Sequence, residues 1–293
     1  ELQDDIWGDH IAHACGVLPP WSTAKRVEGG FVVSGRWGFA SGSEIAEWFG
    51  GGIPVLDDAG EVVDEGFAFM PMSDVRVEDT WHVTGMRGTG SNTVVAEDVF
   101  VPEHRVLSQR SASQEEYATP HRDEVIYRAS FVPQLAIELA SAQLGLGRAA
   151  LALVTGKAQT RGVTYTRYTR YADSVAHQLT MAEAAMMIDT ATLHVHRACN
   201  DIESAAAAGV KMDPWTRARV RADTGWAVRN VHGALEKLIN VHGTSSYAEG
   251  SPLQRIWRDS AIAGRHAVAD QLVGLEVFGK ALAGVDDPIT PLV

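Results

Sequence analysis

The stretch SQRSASQEEYATPHRDEV, residues 108–125, is polar and keeps neither a two-residue nor a 3.6-residue period, and it separates two kinds of sequence. Before it, Phe31-Val32-Val33-Ser34-Gly35-Arg36-Trp37 is β-branched and aromatic and follows the turn pair Gly29-Gly30. Gly66-Phe67-Ala68-Phe69-Met70 runs up to Pro71, Val75-Arg76-Val77-Glu78 alternates, and Thr93 to Ala96 and Val99 to Val101 flank a charged pair. Asp57-Asp58-Ala59-Gly60 and Gly88-Thr89-Gly90-Ser91 punctuate these strands as turns. After it, Leu135, Leu139, Ala142, Leu146, Ala149 and Leu153 keep helical spacing, as do Leu179, Ala182, Met186, Thr190 and Leu193 behind Asp173 as a candidate N-cap. Asp213-Pro214 is a cap with a first-turn proline. That third helix carries Val228, Val231, Leu235 and Leu238, with Gly243 as its stop. Ser251-Pro252 opens a fourth, running toward Gly284. The expected fold class is therefore α+β: a small antiparallel β-barrel or sandwich over residues 1–108, a linker over 109–125, an up-down four-helix bundle over 126–284 and a tail over 285–293.

Length and composition restrict the function. The chain has 293 residues, 45% hydrophobic and 21% charged, within the globular range, and its net charge is −12. Such a surface repels nucleic acid and anionic lipid, so neither is expected as a partner. Cys15 and Cys199 stand alone, which excludes a disulfide framework and fits a cytoplasmic location. No uninterrupted run of about 18 apolar residues marks a membrane span. The opening residues, ELQDDIWGDH, are not a signal peptide.

Several chemistries fail on their motifs. His194 and His196 are two apart, which puts them on different helix faces, and no carboxylate pattern completes them; His10 and His13 are three apart in a segment without an assigned element, so no metal is expected. Neither G-x-S-x-G, G-x-x-x-x-G-K-[ST] nor G-x-G-x-x-G occurs, which argues against a serine hydrolase, a P-loop nucleotidase and a Rossmann dehydrogenase. Gly145-Leu146-Gly147 lies in a helical stretch, where it serves close packing. Arg255 and the pair Arg258-Asp259 are one helical turn apart and read as ion pairing within the bundle. His266 lies among the small residues Ala263, Gly264 and Ala267, which leave room beside an imidazole. Composition and periodicity supply an architecture but no reaction.

Four stretches carry a resemblance. Gly35-Arg36-Trp37-Gly38-Phe39-Ala40-Ser41-Gly42 with Ala46-Glu47-Trp48, then Gly85-Met86-Arg87-Gly88-Thr89-Gly90-Ser91, then Asp98-Val99-Phe100-Val101-Pro102-Glu103-His104-Arg105, resemble the middle β domain of the acyl-CoA dehydrogenase superfamily. Pro252-Leu253-Gln254-Arg255-Ile256-Trp257-Arg258-Asp259, with His266 beyond, resembles its C-terminal bundle. The nearest branch is the flavin-dependent monooxygenases, the oxygenase components of two-component aromatic hydroxylases. The family opens with an N-terminal helical domain, which is expected to be missing here because Glu1 stands at the entry to the middle domain.

The resemblance implies roles for individual residues. Phe39-Ala40-Ser41 matches the element beside the isoalloxazine, so that Phe39 packs on the ring and Ser41 bonds its N5 edge. Arg161 matches the arginine that reaches a flavin phosphate of a neighbouring subunit. His242-Gly243-Thr244-Ser245 matches a glycine-rich turn near the flavin tail, with Gly243 and Thr244 as contacts and His242 departing from the usual glycine. Where acyl-CoA dehydrogenases carry a catalytic glutamate, this chain reads Gly264-Arg265-His266-Ala267-Val268; the family's other base position falls near Gln134, with Glu138 the nearest acid. A histidine at this place belongs to the monooxygenase branch, in which reduced FMN or FAD from a separate flavin reductase reacts with O2 to give a C4a-hydroperoxide that hydroxylates an aromatic or phenolic small molecule. His266 and Ser41 are then the expected catalytic residues, and a homotetramer is implied. The alternatives are an acyl-CoA dehydrogenase with tightly bound FAD, an N- or S-oxygenase of the same branch, and a noncatalytic flavin-binding relative.

Overall fold

Residues 1–293 are described by a computed structural model, in which the chain divides into two units, Glu1–Tyr117 and Ala118–Val293. In the first unit, α1 (Leu2–Trp7) precedes β1 (Ala14–Val17), β2 (Ser22–Val27), β3 (Gly30–Ala40), β4 (Trp48–Leu56), β5 (Val62–Pro71), β6 (Arg76–Glu78), β7 (Asn92–Pro102) and β8 (Val106–Ser108). They form two open four-stranded sheets, ordered β1-β4-β5-β8 and β2-β3-β7-β6. Of the two expected β architectures the open, sandwich-like one forms, because no strand pair closes either sheet. One ladder, β1 on β4, is parallel.

The alternating positions of β3 and β7 supply Phe31, Val33, Trp37, Val94, Ala96 and Val101 to a core that Phe49, Ile53, Ala68 and Met70 complete from β4 and β5. Trp37 is fully buried, packs on Phe49 at 5.3 Å and donates its indole N–H to the Gly52 carbonyl at 3.0 Å. β4 escapes a propensity reading because it contains Gly50-Gly51-Gly52, which looks like a turn. Here glycine is a matter of space: a Cβ on Gly50 would stand 2.5 Å from the Phe67 ring, and one on Gly51 2.8 Å from the Trp37 ring. Thr93–Ala96 and Val99–Val101, with the charged pair between them, are one strand, β7; Asp98, at φ 51°, accommodates an irregular register against β3 there.

In the second unit, α3 (Phe131–Thr155), α4 (Val175–Ala208), α5 (Pro214–His242), α6 (Pro252–Ala263) and α7 (Gln271–Ala283) follow α2 (Gln109–Ser113), which belongs to the first unit and occupies the start of the expected linker. Ser108 caps α2 through the Ser111 N–H, and the Gln109 amide donates to the carbonyls of Leu18 and Gly66. Asp213 caps α5 as expected, accepting from the Thr216 N–H at 2.9 Å. The N-cap position of α4 is Ser174, whose side chain makes no capping bond, and not Asp173, whose carboxylate pairs with Arg170. The fourth expected helix is interrupted: α6 ends at Gly264, and Asp270 caps a new helix, α7.

The buried α5 face holds Val228, Val231, Leu235 and Leu238, and Gln143 of α3 bonds Ser260 of α6 in both directions inside the core. Asp223 of α5, only 3% exposed, takes His194 and Arg197 of α4, so the histidine considered above as a metal ligand is a tie between helices. By length and composition α3 could cross a membrane, although charged and polar residues interrupt its apolar run; its buried face packs into the helical core. On α4 the spacing identified the helix but not its inner face. Ala184, Ile188, Ala191 and Val195 are buried, whereas Leu179, Met186 and Leu193 are 64–71% exposed.

Candidate functional site

Within the first unit, β3 runs out of ladder near Phe39, where the register shifts between Trp37 and Ala40. Phe39, 66% exposed, is left at φ 65°, a left-handed conformation that costs a bulky residue about 1–2 kcal/mol. The ring meets Trp81 edge-to-face at 5.9 Å, and the Trp81 indole N–H is held by the Met86 carbonyl at 2.9 Å. Two aromatic rings are thereby fixed at the surface.

Two residues on, the Ser41 hydroxyl lies 2.8 Å from that of buried Ser91, which is 2.6 Å from the Thr89 hydroxyl, itself donating to the Met86 carbonyl. The Gly42 N–H to Thr89 carbonyl bond (2.7 Å) and the Ser43 hydroxyl to Gly90 carbonyl bond (2.9 Å) lock the 39–43 turn to the 86–91 turn. Ser41 therefore presents an oriented hydroxyl at the surface beside an apolar ring, a pairing that suits a flat heteroaromatic with a polar edge.

In the second unit, Arg161, just beyond α3, directs one guanidinium nitrogen to His242 Nε2 at 3.0 Å and another to the Ser245 hydroxyl. Lys157 approaches the same His242 Nε2 at 3.3 Å. Both neighbours are donors, so Nε2 carries the lone pair and Nδ1 the proton, which goes to the Ser246 hydroxyl at 3.0 Å. Burial first, and then the charges of Arg161 and Lys157, hold the His242 pKa below its ordinary 6.5. No carboxylate meets either cation, although the chain carries a net charge of −12. Brought to one nitrogen, the two like charges repel by roughly 1–3 kcal/mol at a protein surface. Thr244 and Ser245 are exposed around this pair, Gly243 turns the backbone at φ 78°, and His242 is the buried floor. The donor set is that of a phosphate cradle: a fork, a point charge and hydroxyls.

His266 lies in the loop between α6 and α7. Its Nδ1 accepts the Val268 N–H at 3.2 Å, so the neutral ring carries its proton on Nε2. Although the side chain reaches solvent, the surrounding protein, with the Arg221 charge second, lowers its pKa from 6.5. Arg221, on α5 and 4% exposed, donates to the Ala267 carbonyl at 2.8 Å; its Nε and Nη1 meet no acceptor. Glu138, the nearest acid at the family's other base position, is exposed on α3 and takes the Gln134 amide at 2.9 Å.

The expected residues thus fall into three groups: Phe39 and Ser41 in the first unit, Arg161 with Gly243 and Thr244 at the C-terminal end of α5, and His266 beside α5 further back. A Cβ on Gly264 would meet Val228, and Ala267 meets Arg221. The His266 loop therefore lies about 20–30 Å along α5 from His242, at 1.5 Å per residue. Lys157, Trp81 and Arg221 escaped the sequence reading, and Ser91 and Ser245 entered it only as members of turns. Lys157 and Arg161, four apart with no acid nearby, were a readable signal, whereas Arg221 was not, because only the fold buries it.

Residues 137–271 match the model of the acyl-CoA dehydrogenase C-terminal domain family. The chain is 31% identical over 292 residues to the oxygenase subunit HsaA of a flavin-dependent monooxygenase from Rhodococcus jostii, covering 99% of this chain and 76% of that protein. It is 30% identical over 298 residues to the oxygenase component of an FADH2-dependent resorcinol hydroxylase from a Rhizobium species, covering 98% of this chain and 72% of that one. The structure of XiaF from a Streptomyces species in complex with FADH2 and glycerol superposes with a TM-score of 0.93 at 40% identity, over 98% of this chain and 73% of XiaF. The chain belongs to the acyl-CoA dehydrogenase superfamily and, within it, to the oxygenase components of two-component flavin-dependent monooxygenases.

Proposed function

We propose that the chain hydroxylates a phenolic small molecule, with His266 as the group that holds the phenolic oxygen. The observation that carries this reading is the neutral imidazole of His266, its Nδ1 tied to the Val268 N–H and its Nε2–H free to serve the reaction, where a dehydrogenase requires a carboxylate. The cofactor is reduced flavin, FMN or FAD, delivered by a separate reductase; when bound it supplies the electrons that activate O2. Phe39 and Trp81 would pack on the ring, Ser41 would hold its N5 edge, and Arg161, Gly243 and Thr244 would hold a phosphate. His266 would orient the substrate by donating its Nε2–H to the phenolic oxygen, stabilising negative charge there as the phenolic proton leaves to solvent and so raising the electron density of the aromatic ring.

The assembly we propose is a homotetramer. The short sugar-alcohol chain of a flavin does not bridge 20–30 Å, so the cradle beside His242 and the loop carrying His266 serve different flavins, and each site borrows its phosphate cradle from a neighbour. The exposed stripe Leu179, Met186 and Leu193 on α4 suits a second copy. Two unpaired thiols, Cys15 and Cys199, suit the cytoplasm.

The test is turnover of a panel of phenols under 18O2, with reduced flavin regenerated by an unrelated reductase. Incorporation of one labelled oxygen into a phenol supports the reading. Stoichiometric peroxide with every phenol, or reduction of bound flavin by an acyl-CoA thioester, overturns it.

A further inference from the structure

A single lone pair, on His242 Nε2, faces two cationic donors, Arg161 at 3.0 Å and Lys157 at 3.3 Å. One lone pair satisfies one donor well, so the second charge is brought to an atom that cannot serve it. The other ring nitrogen is committed to the Ser246 hydroxyl at 3.0 Å, with Ser245 at 3.3 Å, and the Tyr171 hydroxyl donates to the His242 carbonyl at 3.3 Å. The facing groups are thus Lys157 and Arg161 from beyond α3, Tyr171 from the short helix Tyr171–Asp173, and the two serines of its own turn. Asp173, the nearest acid in sequence to Tyr171, is engaged by Arg170. The arrangement has donors on every side and lacks an anion.

We infer that Lys157, Arg161 and Ser245 form a flavin-phosphate cradle in which His242 takes up one proton on Nε2 as the phosphate enters. This inference rests on the proposed flavin reading and adds a proton to it. Without the phosphate, Nε2 must stay unprotonated, because a third positive charge there would face Arg161 and Lys157 uncompensated. With the phosphate present, its oxygens draw both cations off Nε2 and reward a third donor, so the proton from solvent enters on Nε2 and hydrogen-bonds the anion. The proton stays on nitrogen and no covalent bond changes. His242, which interrupts the glycine-rich turn, is then a gain: a buried imidazole can switch from acceptor to donor where glycine cannot.

The sign follows from linkage. The free site binds the proton weakly and the occupied site binds it tightly, so affinity falls as pH rises across the interval between the two titrations, by up to tenfold per pH unit. That interval starts below pH 6.5, where burial and the two cations place the free imidazole. Oxidised FAD is the suitable probe, because its diphosphate stays fully ionised through this range and the only proton counted is the protein's.

The experiment is calorimetric titration of FAD into the full chain at pH 6.5, in buffers of different ionisation enthalpy, with NMR of ring-labelled histidine in parallel. Wild type should take up a substantial fraction of one proton, and the His242 resonance should titrate at higher pH with FAD than without. In His242→Gln the side-chain oxygen can replace Nε2 as acceptor but cannot be protonated, so uptake should vanish and the pH slope flatten. No uptake by wild type, or an unchanged slope in His242→Gln, overturns the inference. If His242→Gln does not melt cooperatively, the wild-type NMR titration decides alone. Riboflavin and inorganic pyrophosphate separate the two levels. If riboflavin binds as tightly as FAD the cradle is no phosphate site, and if pyrophosphate binds as tightly as FAD it is a general anion site; either result removes the flavin-phosphate cradle, while the flavin-dependent activity itself stands or falls with the phenol assay. FAD preferred over both, without proton uptake, removes only the proton.

Discussion

Replacing Arg161 with alanine removes the one forked cation of the cradle. In the structure its two terminal nitrogens reach His242 and Ser245, and no carboxylate neutralises it, so its charge is available to a ligand. A charge-assisted bond to a phosphate contributes about 1.5–3 kcal/mol, which at 1.4 kcal/mol per decade is roughly a 10- to 150-fold loss of affinity. Arg161→Lys keeps the charge but loses the fork, and should fall between wild type and alanine. The assay is anaerobic equilibrium titration with flavin fluorescence as the signal, using FAD, FMN and riboflavin on all three proteins. Riboflavin has no phosphate, so its affinity should be the same in wild type and variant. Equal weakening of riboflavin and FAD in Arg161→Ala would refute the reasoning, because the arginine would then act through the fold or the ring rather than through a phosphate. Melting curves of the variants guard against the first of these, since Arg161 also lies over the Tyr171 ring at 5.8 Å.

Other substitutions probe the remaining groups. His266→Ala should lower hydroxylation by about 10² while oxygen consumption continues as released peroxide, measured by coupling product to oxygen uptake; unchanged coupling removes the assigned role. Phe39→Gly should leave the melting temperature unchanged or slightly raised, because glycine relieves about 1 kcal/mol of strain at φ 65°, yet should weaken binding of every flavin, riboflavin included. Gln143→Leu strands the buried Ser260 hydroxyl that donates to it at 2.7 Å and should cost about 1–3 kcal/mol, whereas Gln143→Leu with Ser260→Ala should recover most of it; calorimetric unfolding of both decides.

Side-chain periodicity made much of the architecture legible. The alternation in Phe31–Trp37 and the caps at Asp213 and Gly243 are local signals: they depend on pleat, helical repeat and the φ range of one residue, and the structure keeps them. Non-local contacts defeated the reading elsewhere. Gly50-Gly51-Gly52 reads as a turn but lies in a strand, where rings from β3 and β5 occupy the space a Cβ would need on Gly50 and Gly51 and the Leu18 carbonyl occupies it at Gly52. The helix opened by Ser251-Pro252 breaks where Gly264 is crowded by Val228 and Asp270 caps α7. On α4, hydrophobicity identified the helix, but small residues, not Leu179, Met186 and Leu193, are the ones that let α5 approach.

The sequence by itself determined that a β unit precedes a helical one, that Phe39 and Ser41 leave a strand together, and that a histidine, His266, stands among small residues beyond Arg258-Asp259. Those facts are written in residue identity and short-range order. Only the tertiary structure decided that Lys157 and Arg161 meet at one nitrogen of His242, that Arg221 lies buried against the loop of His266, and that His242 and His266 are far apart along α5. Such properties come from which chain segments are neighbours in space, and burial and charge act through distance, not through sequence order.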